Sequence, residues 1–385
     1  MIVVIADDLT GAAELGGMGL RYGLSVEIVL DPVQIPDVDL LIIALDTRSM
    51  PEQDALATMR RITAIVREVN PAFIYKKVDS VLRGHVVAEL NVNLHELGLK
   101  RAILVPANPA MGRTISNGNY FINDQPIHKT SFAHDPEFGV VSASVHNMLR
   151  VEAGDIHVHT VDDELPAEGI ILGESSYDSD LFLWANKADS STLMAGGSGL
   201  FKALLASFNL KPNANRNIAR TPINRPALFV CGSTFNRSKQ LIEDVNESNG
   251  PVSYMPQGIV SMPEPPEKLF EQWADEVYTL LTIYKKAIIA VDEATTCDIE
   301  IAPGSLREKK AKVVEKVMKK MAIKELLVEG GATGASIINR LAVNSFVPVN
   351  EFDTGVIRMK IVGKKGLFLT LKPGSYNWPT HIWDF

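Results

Sequence analysis

Residues 76–84 read KKVDSVLRG, so three cations (Lys76, Lys77, Arg83), the carboxylate of Asp79 and the hydroxyl of Ser80 share one short segment. A guanidinium such as Arg83 can fork onto a carboxylate with two parallel hydrogen bonds, and Lys77 supplies a point charge. Residues 6–12 read ADDLTGA. The adjacent carboxylates of Asp7 and Asp8 repel a bare anion, so they are suited to hydroxyls, a cation or a proton. Thr10 is placed to cap a following helix, and Gly11 lets backbone approach a ligand closely. Arg48 closes the segment Asp46-Thr47-Arg48, and Arg113 is expected at the same edge. Three arginines and a lysine around one crevice of an acidic chain fit a small anionic molecule that carries hydroxyls. In the second half, Gly330-Gly331-Ala332-Thr333-Gly334 has the place and composition of a turn whose amides point at phosphate oxygens. No lysine follows in the Walker A frame, and no G-x-G-x-x-G occurs. Gly196-Gly197-Ser198-Gly199 is a second glycine turn.

These clusters need elements to hold them. Residues 2–6, 25–30, 40–45, 73–76 and 101–105 are short apolar runs that predict buried strands. Periodic stretches at 10–22, 53–69 and 86–97 predict helices between them. Alternating strands and helices imply a doubly wound parallel sheet. Asp7-Asp8, Asp46 to Arg48, Lys77 to Asp79 and Asn108 each follow a predicted strand. Each alone is what an ordinary strand-to-loop turn looks like. Together they predict one crevice outside the carboxyl ends of the strands. Residues 112–134 read as a long irregular segment over that crevice, and 189–208 as a glycine-rich turn feeding a helix. A stretch dense in Asn, Arg and Pro at 211–226 marks a boundary. After it come strands at 227–231, 287–291 and 325–328, a basic helix at 307–321, a helix to 341 and two antiparallel strands from 355. The predicted fold is α/β with two domains, residues 1–212 and 224–385, each a mainly parallel sheet flanked by helices.

The chain has 385 residues, 46% hydrophobic and 22% charged, with a net charge of −8. Such a chain builds packed cores, and it lacks the basic surface that nucleic-acid binding demands. The two cysteines, Cys231 and Cys297, cannot form a disulfide framework and read as buried reduced thiols. MIVVIADD has no basic n-region, and no stretch nears the roughly 18 apolar residues of a membrane helix. A cytoplasmic protein without nucleic-acid or membrane partners is expected. His157 and His159 make no metal site, and there is no G-x-S-x-G elbow.

The segments ADDLTGA (6–12), DTR (46–48), KKVDSVLRG (76–84), PANPAMGRTISNG (106–118), CGSTFNRSKQ (231–240) and VEGGATGAS (328–336) resemble, in order and spacing, those of the four-carbon acid sugar kinase family. The resemblance spans nearly the whole chain. It implies a sugar-acid-binding domain over 1–212 and a nucleotide-binding domain over 224–385. It implies ATP-dependent phosphorylation of the terminal hydroxyl of a four-carbon acid sugar such as threonate, erythronate or 3-oxo-tetronate. Asp8, Arg48, Lys77, Asp79, Ser80 and Arg83 would hold the acid, with Asp8 or Asp79 orienting or deprotonating the hydroxyl. Ser233, Gly330, Gly331, Thr333 and Gly374 would hold ATP. The chain departs from the family pattern at Val81, at Ala332 and at Pro373 to Tyr376, where the family carries Asp-Ser-Thr, a GGDT loop and a Lys-Ser-Gly-Gly-Phe-Gly segment.

The expected chemistry is in-line transfer of the γ-phosphoryl group with Mg²⁺ bridging phosphate oxygens, and domain closure excluding water. A homodimer is expected. The departures at Ala332 and Pro373 motivate a second reading, a sugar-acid sensor with weakened nucleotide use. A nicotinamide-dependent dehydrogenase is a third, against which the missing glycine fingerprint counts.

Overall fold

In a computed structural model the chain folds as two compact units, Met1–Asn215 and Arg216–Phe385. The structure describes all residues except 135–137, 153, 214–220, 233–235, 293–294 and 296–302.

The first unit is built on the strands β1 (Ile2–Ala6), β2 (Val26–Val29), β3 (Leu40–Ala44), β4 (Phe73–Lys77) and β5 (Arg101–Val105). A small antiparallel sheet follows, with β6 (Arg113–Ser116), β7 (Asn119–Ile122) and β8 (Gln125–Pro126). Three more parallel strands complete the main sheet: β9 (Ile156–His159), β10 (Gly169–Gly173) and β11 (Thr192–Gly196). Their spatial order is β2-β3-β1-β4-β11-β5-β10-β9, parallel throughout. Helices α1 (Leu9–Arg21), α2 (Glu52–Val69), α3 (Val86–Leu97), α4 (Val145–Leu149), α5 (Asp178–Ala185) and α6 (Ser198–Ser207) flank it. The apolar runs are continuous because both faces are covered: β3 is buried at every position. One core packs β1 and β3 against Met59, Ile62 and Val66 of α2. The other packs β5 and β10 against Val86, Leu90 and Leu94 of α3. Each such aliphatic side chain contributes roughly 1.5–3 kcal/mol by leaving water.

Three local expectations change. Asp8, not Thr10, caps α1: it is extended, and its Oδ1 accepts the Gly11 amide at 3.0 Å. Residues 113–126 are a three-stranded sheet instead of an irregular segment. Asn117 and Gly118 both have positive φ (49° and 67°), as a two-residue hairpin turn requires. Residues 192–196, read as part of a glycine turn, are a fully buried strand inserted between β4 and β5.

The second unit has β12 (Ala227–Val230), β13 (Val252–Tyr254), β14 (Lys286–Ala290), β15 (Glu325–Glu329), β16 (Ser345–Asp353), β17 (Val356–Ile361) and β18 (Phe368–Lys372). Their order is β13-β14-β12-β15-β18-β17-β16, parallel as far as β18 and antiparallel beyond it. The strand β16 adds a third member to the two tail strands expected from the sequence. Helices α7 (Asn236–Glu247), α8 (Gln257–Ser261), α9 (Glu267–Tyr284), α10 (Pro303–Lys320) and α11 (Gly331–Arg340) accompany them. Phe229 anchors the core of this unit, with Trp378, Trp383 and Phe385 all edge-on to it at 5.0–5.5 Å. Among the described residues no helix is long and apolar enough to cross a membrane.

Candidate functional site

In the first unit, register places Ala6 beside both Ala44 and Lys77, Lys77 beside Gly196, and Gly196 beside Val105. The carboxyl ends of five adjacent strands therefore form one edge. The chain leaves β1 for β2 and β3 on one side, then crosses to β4 on the other. The edge between β1 and β4 is thus the switch point at which open α/β sheets leave a crevice.

The residues that follow these strands meet there around Arg48. Its Nη2 lies 3.1 Å from Asp7 Oδ2, 3.0 Å from Asp8 Oδ1 and 3.6 Å from Asp79 Oδ1. Asp7 also accepts the Asp79 amide at 3.1 Å, which ties the turn after β4 to the turn after β1. Arg83 forks onto Asp79, with Nε 2.7 Å from Oδ2 and Nη2 3.0 Å from Oδ1. Thr10 donates its hydroxyl to Asp8 Oδ2. Lys77 Nζ donates to the Val78 carbonyl at 2.7 Å. It stands over Gly11, where an added Cβ would come within 2.8 Å of it. Ser80 accepts a hydrogen bond from Arg113 on β6, and its carbonyl accepts Tyr120 OH from β7 at 2.5 Å. The hairpin sheet thus reaches the same edge. Asn108, after β5, donates to Ser198 at the start of α6 at 3.3 Å.

All three carboxylates are buried, and burial by itself raises their pKa values. What differs is the charge around them. For Asp79, Arg83 and Arg48 outweigh burial and hold the carboxyl far below the usual carboxylate range. For Asp8, Arg48, Lys77 and the Thr10 hydroxyl also win, and the pKa is lowered. For Asp7 burial wins, aided by repulsion from Asp8, and the pKa is raised. Arg48, desolvated but surrounded by carboxylates, is held protonated still more firmly than usual. Asp8 and Asp79 are therefore fixed anions at neutral pH. Such groups can accept hydrogen bonds from hydroxyls, and the cations Lys77, Arg48 and Arg113 can meet an anion.

The structure brings Asp8, Arg48, Lys77, Asp79, Ser80 and Arg83 together. Asp7, Arg113 and Tyr120 join them. Nothing in the sequence singles out Asp7, rather than Asp8, as the carboxylate that ties the turn after β4 to the turn after β1. Tyr120 carried no signal, because its segment read as irregular.

In the second unit, β12 has β14 on one side and β15 on the other, so its switch point lies at the carboxyl end of β15. Gly330 follows β15 with φ of 93°, a conformation glycine adopts without strain. It is the N-cap of α11 and provides no side-chain cap. Gly331 and Thr333 lie in the first turn of α11, so their amides face outward as donors. Thr333 is buried beside Gly232, whose added Cβ would meet Thr333 Oγ1 and, at 2.9 Å, the Glu329 carbonyl. Gly374 lies in the turn after β18, which pairs with β15 through Glu329 and Lys372. The Gly330 amide donates to the Lys372 carbonyl at 2.9 Å. Ser233, Thr234 and Cys297 lie outside the described residues. Among the described residues no group of three His, Cys, Asp or Glu side chains could hold a metal ion.

Residues 2–204 match the family model described as the sugar-binding N-terminal domain. A D-threonate kinase of Salmonella typhimurium is 27% identical over 263 residues, which span 63% of this chain and 60% of that protein. A 3-oxo-tetronate kinase of Haemophilus influenzae is 24% identical over 98% of this chain and 97% of its own length. Two solved structures share the fold across 99% of this chain. One, from Haemophilus influenzae, is 21% identical with a TM-score of 0.72 and is covered over 98%. The other, from Salmonella typhimurium LT2, is 18% identical with a TM-score of 0.76 and is covered over 97%. With more than half of its residues matched to the sugar-binding domain, and with relatives named as kinases of four-carbon sugar acids, this chain belongs to the four-carbon acid sugar kinase family.

Proposed function

We propose that the protein is an ATP-dependent kinase that phosphorylates the terminal hydroxyl of a four-carbon acid sugar. The observation that carries the reading is the ring of cations and ionised carboxylates around Arg48 at the β1/β4 edge. A sugar acid has one carboxylate and several hydroxyls, and this cluster has partners for both. Lys77, Arg48 and Arg113 would neutralise the carboxylate. Asp8 and Asp79 would accept hydrogen bonds from hydroxyls. Their lowered pKa values make them weak bases, which suits the chemistry. Phosphoryl transfer runs through a loose transition state in which positioning and charge neutralisation matter more than early proton removal. Either aspartate would then orient the attacking oxygen and take its proton late.

ATP would bind in the second unit, with phosphates at the N-terminus of α11 beside Gly330, Gly331 and Thr333, and with Gly374 and Ser233 contributing. The uncapped amides of that helix support this assignment. The kinase names of the relatives support the reaction class.

The experiment is a screen of threonate, erythronate and 3-oxo-tetronate stereoisomers with ATP and Mg²⁺, following ADP release. Product with one of these acids is expected, together with its loss in Asp8→Asn or Asp79→Asn. An acid that binds by calorimetry while no ADP forms with any of them would instead assign a binding role.

A further inference from the structure

Helix α10 reads as a basic helix in the sequence, yet two of its lysines, Lys309 and Lys310, are buried. Lys310 is 3% exposed and shares the inward face with Val313, Val314 and Val317, at the i+3, i+4 and i+7 spacing of a buried stripe. Among the described residues its one hydrogen bond runs to the Cys231 carbonyl, just past β12, and is long at 3.3 Å. No carboxylate among the described residues forms a salt bridge with it. Glu329 is the acidic residue whose field reaches it. That carboxylate is already committed, to Lys372 at 3.3 Å, Ser238 at 2.5 Å and Trp378 at 3.2 Å. Arg307, one turn earlier on α10, repels Lys310. Burial brings the Lys310 amine down to about 8. The neighbouring Lys309 shows the ordinary alternative, with donation to the Met262 carbonyl at 2.7 Å and to that of Val260 at 3.4 Å. An ammonium buried with one long hydrogen bond is costly unless an anion meets it.

We propose that Lys310 is the cationic ligand of a phosphate group held at the N-terminus of α11. The proposal rests on the nucleotide reading of the second unit. Two independent features lie at the ends of the adjacent strands β12 and β15. Helix α11 opens on Gly330 and Gly331 with no side-chain cap, which leaves its first amides as donors. Lys310 reaches Cys231, the residue before Gly232, and Gly232 packs against the first turn of α11 at Thr333. A phosphate at the glycine turn would receive the helix amides and the Lys310 ammonium together. It would complete the hydrogen bonds of the lysine and keep it charged.

Calorimetry and thermal unfolding on the full chain test this, with ATP·Mg²⁺, pyrophosphate and adenosine as probes. Lys310→Met is expected to raise Kd for ATP and pyrophosphate roughly ten- to a hundredfold, the worth of one charge-assisted hydrogen bond, and to leave adenosine unchanged. Its ligand-free Tm should stay level or rise, because an unpaired buried charge is gone. Lys310→Gln serves as the second variant and should show the same split. A merely structural lysine would give the opposite pattern, a lower Tm with unchanged phosphate affinity, and that result overturns the proposal. So does a wild-type chain that binds neither ATP nor pyrophosphate. Lys310-dependent pyrophosphate binding by a wild-type chain that makes no ADP would keep this site while removing the kinase reading. ATP turnover with an unchanged Kd in both variants would do the reverse.

Discussion

Asp7, Asp8 and Asp79 are the same residue type in one cluster, and their surroundings give them different pKa directions. The linkage to stability follows from those directions. The Asp79 pKa is lowered, so its ionisation contributes stability above the ordinary carboxylate value of 3.8, and that contribution is lost as pH falls through its folded value. The Asp7 pKa is raised, so its ionisation opposes folding once pH exceeds 3.8. Asp79→Asn leaves Arg83 and much of Arg48 facing an amide, and is expected to cost roughly 3 kcal/mol at pH 7, the usual penalty for breaking a buried pair. The gap from wild type should narrow as pH drops below 3.8. Asp7→Asn should cost less at pH 7. Urea denaturation of the three proteins at pH 7 and near pH 3 checks both points, and a larger cost for Asp7→Asn would sink this account. None of this ranking was legible in ADDLTGA or KKVDSVLRG. The motifs name the groups, but only their burial and the approach of Arg48 decide which carboxylate is clamped.

At the scale of elements, the parallel strands and their helices were legible because both faces of the sheets are covered, so apolar runs such as LLIIA at 40–44 have no alternation to obscure them. Two elements were not. The strand TLMAG is short and ends in glycine next to another glycine, so composition reads as a turn. Its burial comes from insertion between β4 and β5, a long-range fact. The hairpin sheet was hidden by its own turn residues, since Asn117-Gly118 also looks like loop sequence. The start of α1 supplies a prediction at this scale. In Gly11→Ala the new Cβ would lie 2.6 Å from Asp8 Oδ1 and 2.8 Å from Lys77 Nζ. Both must move, so the cap and the cation are displaced together. Alanine also favours the helix by about 1 kcal/mol over glycine, which offsets part of the lost cap. The expected outcome is a stability change within about 1 kcal/mol and at least a roughly tenfold weaker binding of the acid. Wild-type affinity in this variant would show that the acid does not sit against the first turn of α1.

At the scale of the molecule, each unit has its own hydrophobic core and its own switch-point edge, while the net charge of −8 belongs to neither site. Positive charge is local, with four basic side chains at one edge and uncapped helix amides at the other. Six motifs in register across the whole chain made the family legible in sequence. Lys310 was not, because a lysine in a basic helix is ordinarily solvated, and only the packing of α10 shows that Lys309 and Lys310 are buried and that Lys310 has the poorer partner. If each ligand uses one edge, each should stabilise the unit that holds it. A ligand at a hundred times its Kd stabilises the form that binds it by about 2.7 kcal/mol, which slows exchange of amides that open only when that form is lost. Hydrogen exchange on the full chain reads this directly. The acid is expected to slow exchange in segments carrying Asp7, Asp79 and the start of α1, with little effect on α11. ATP·Mg²⁺ is expected to slow exchange at the start of α11 and after β12, with little effect on the β1/β4 edge. Protection of both edges by the acid alone would mean that its site is not confined to the first unit, and the assignment of one ligand to each unit would fall.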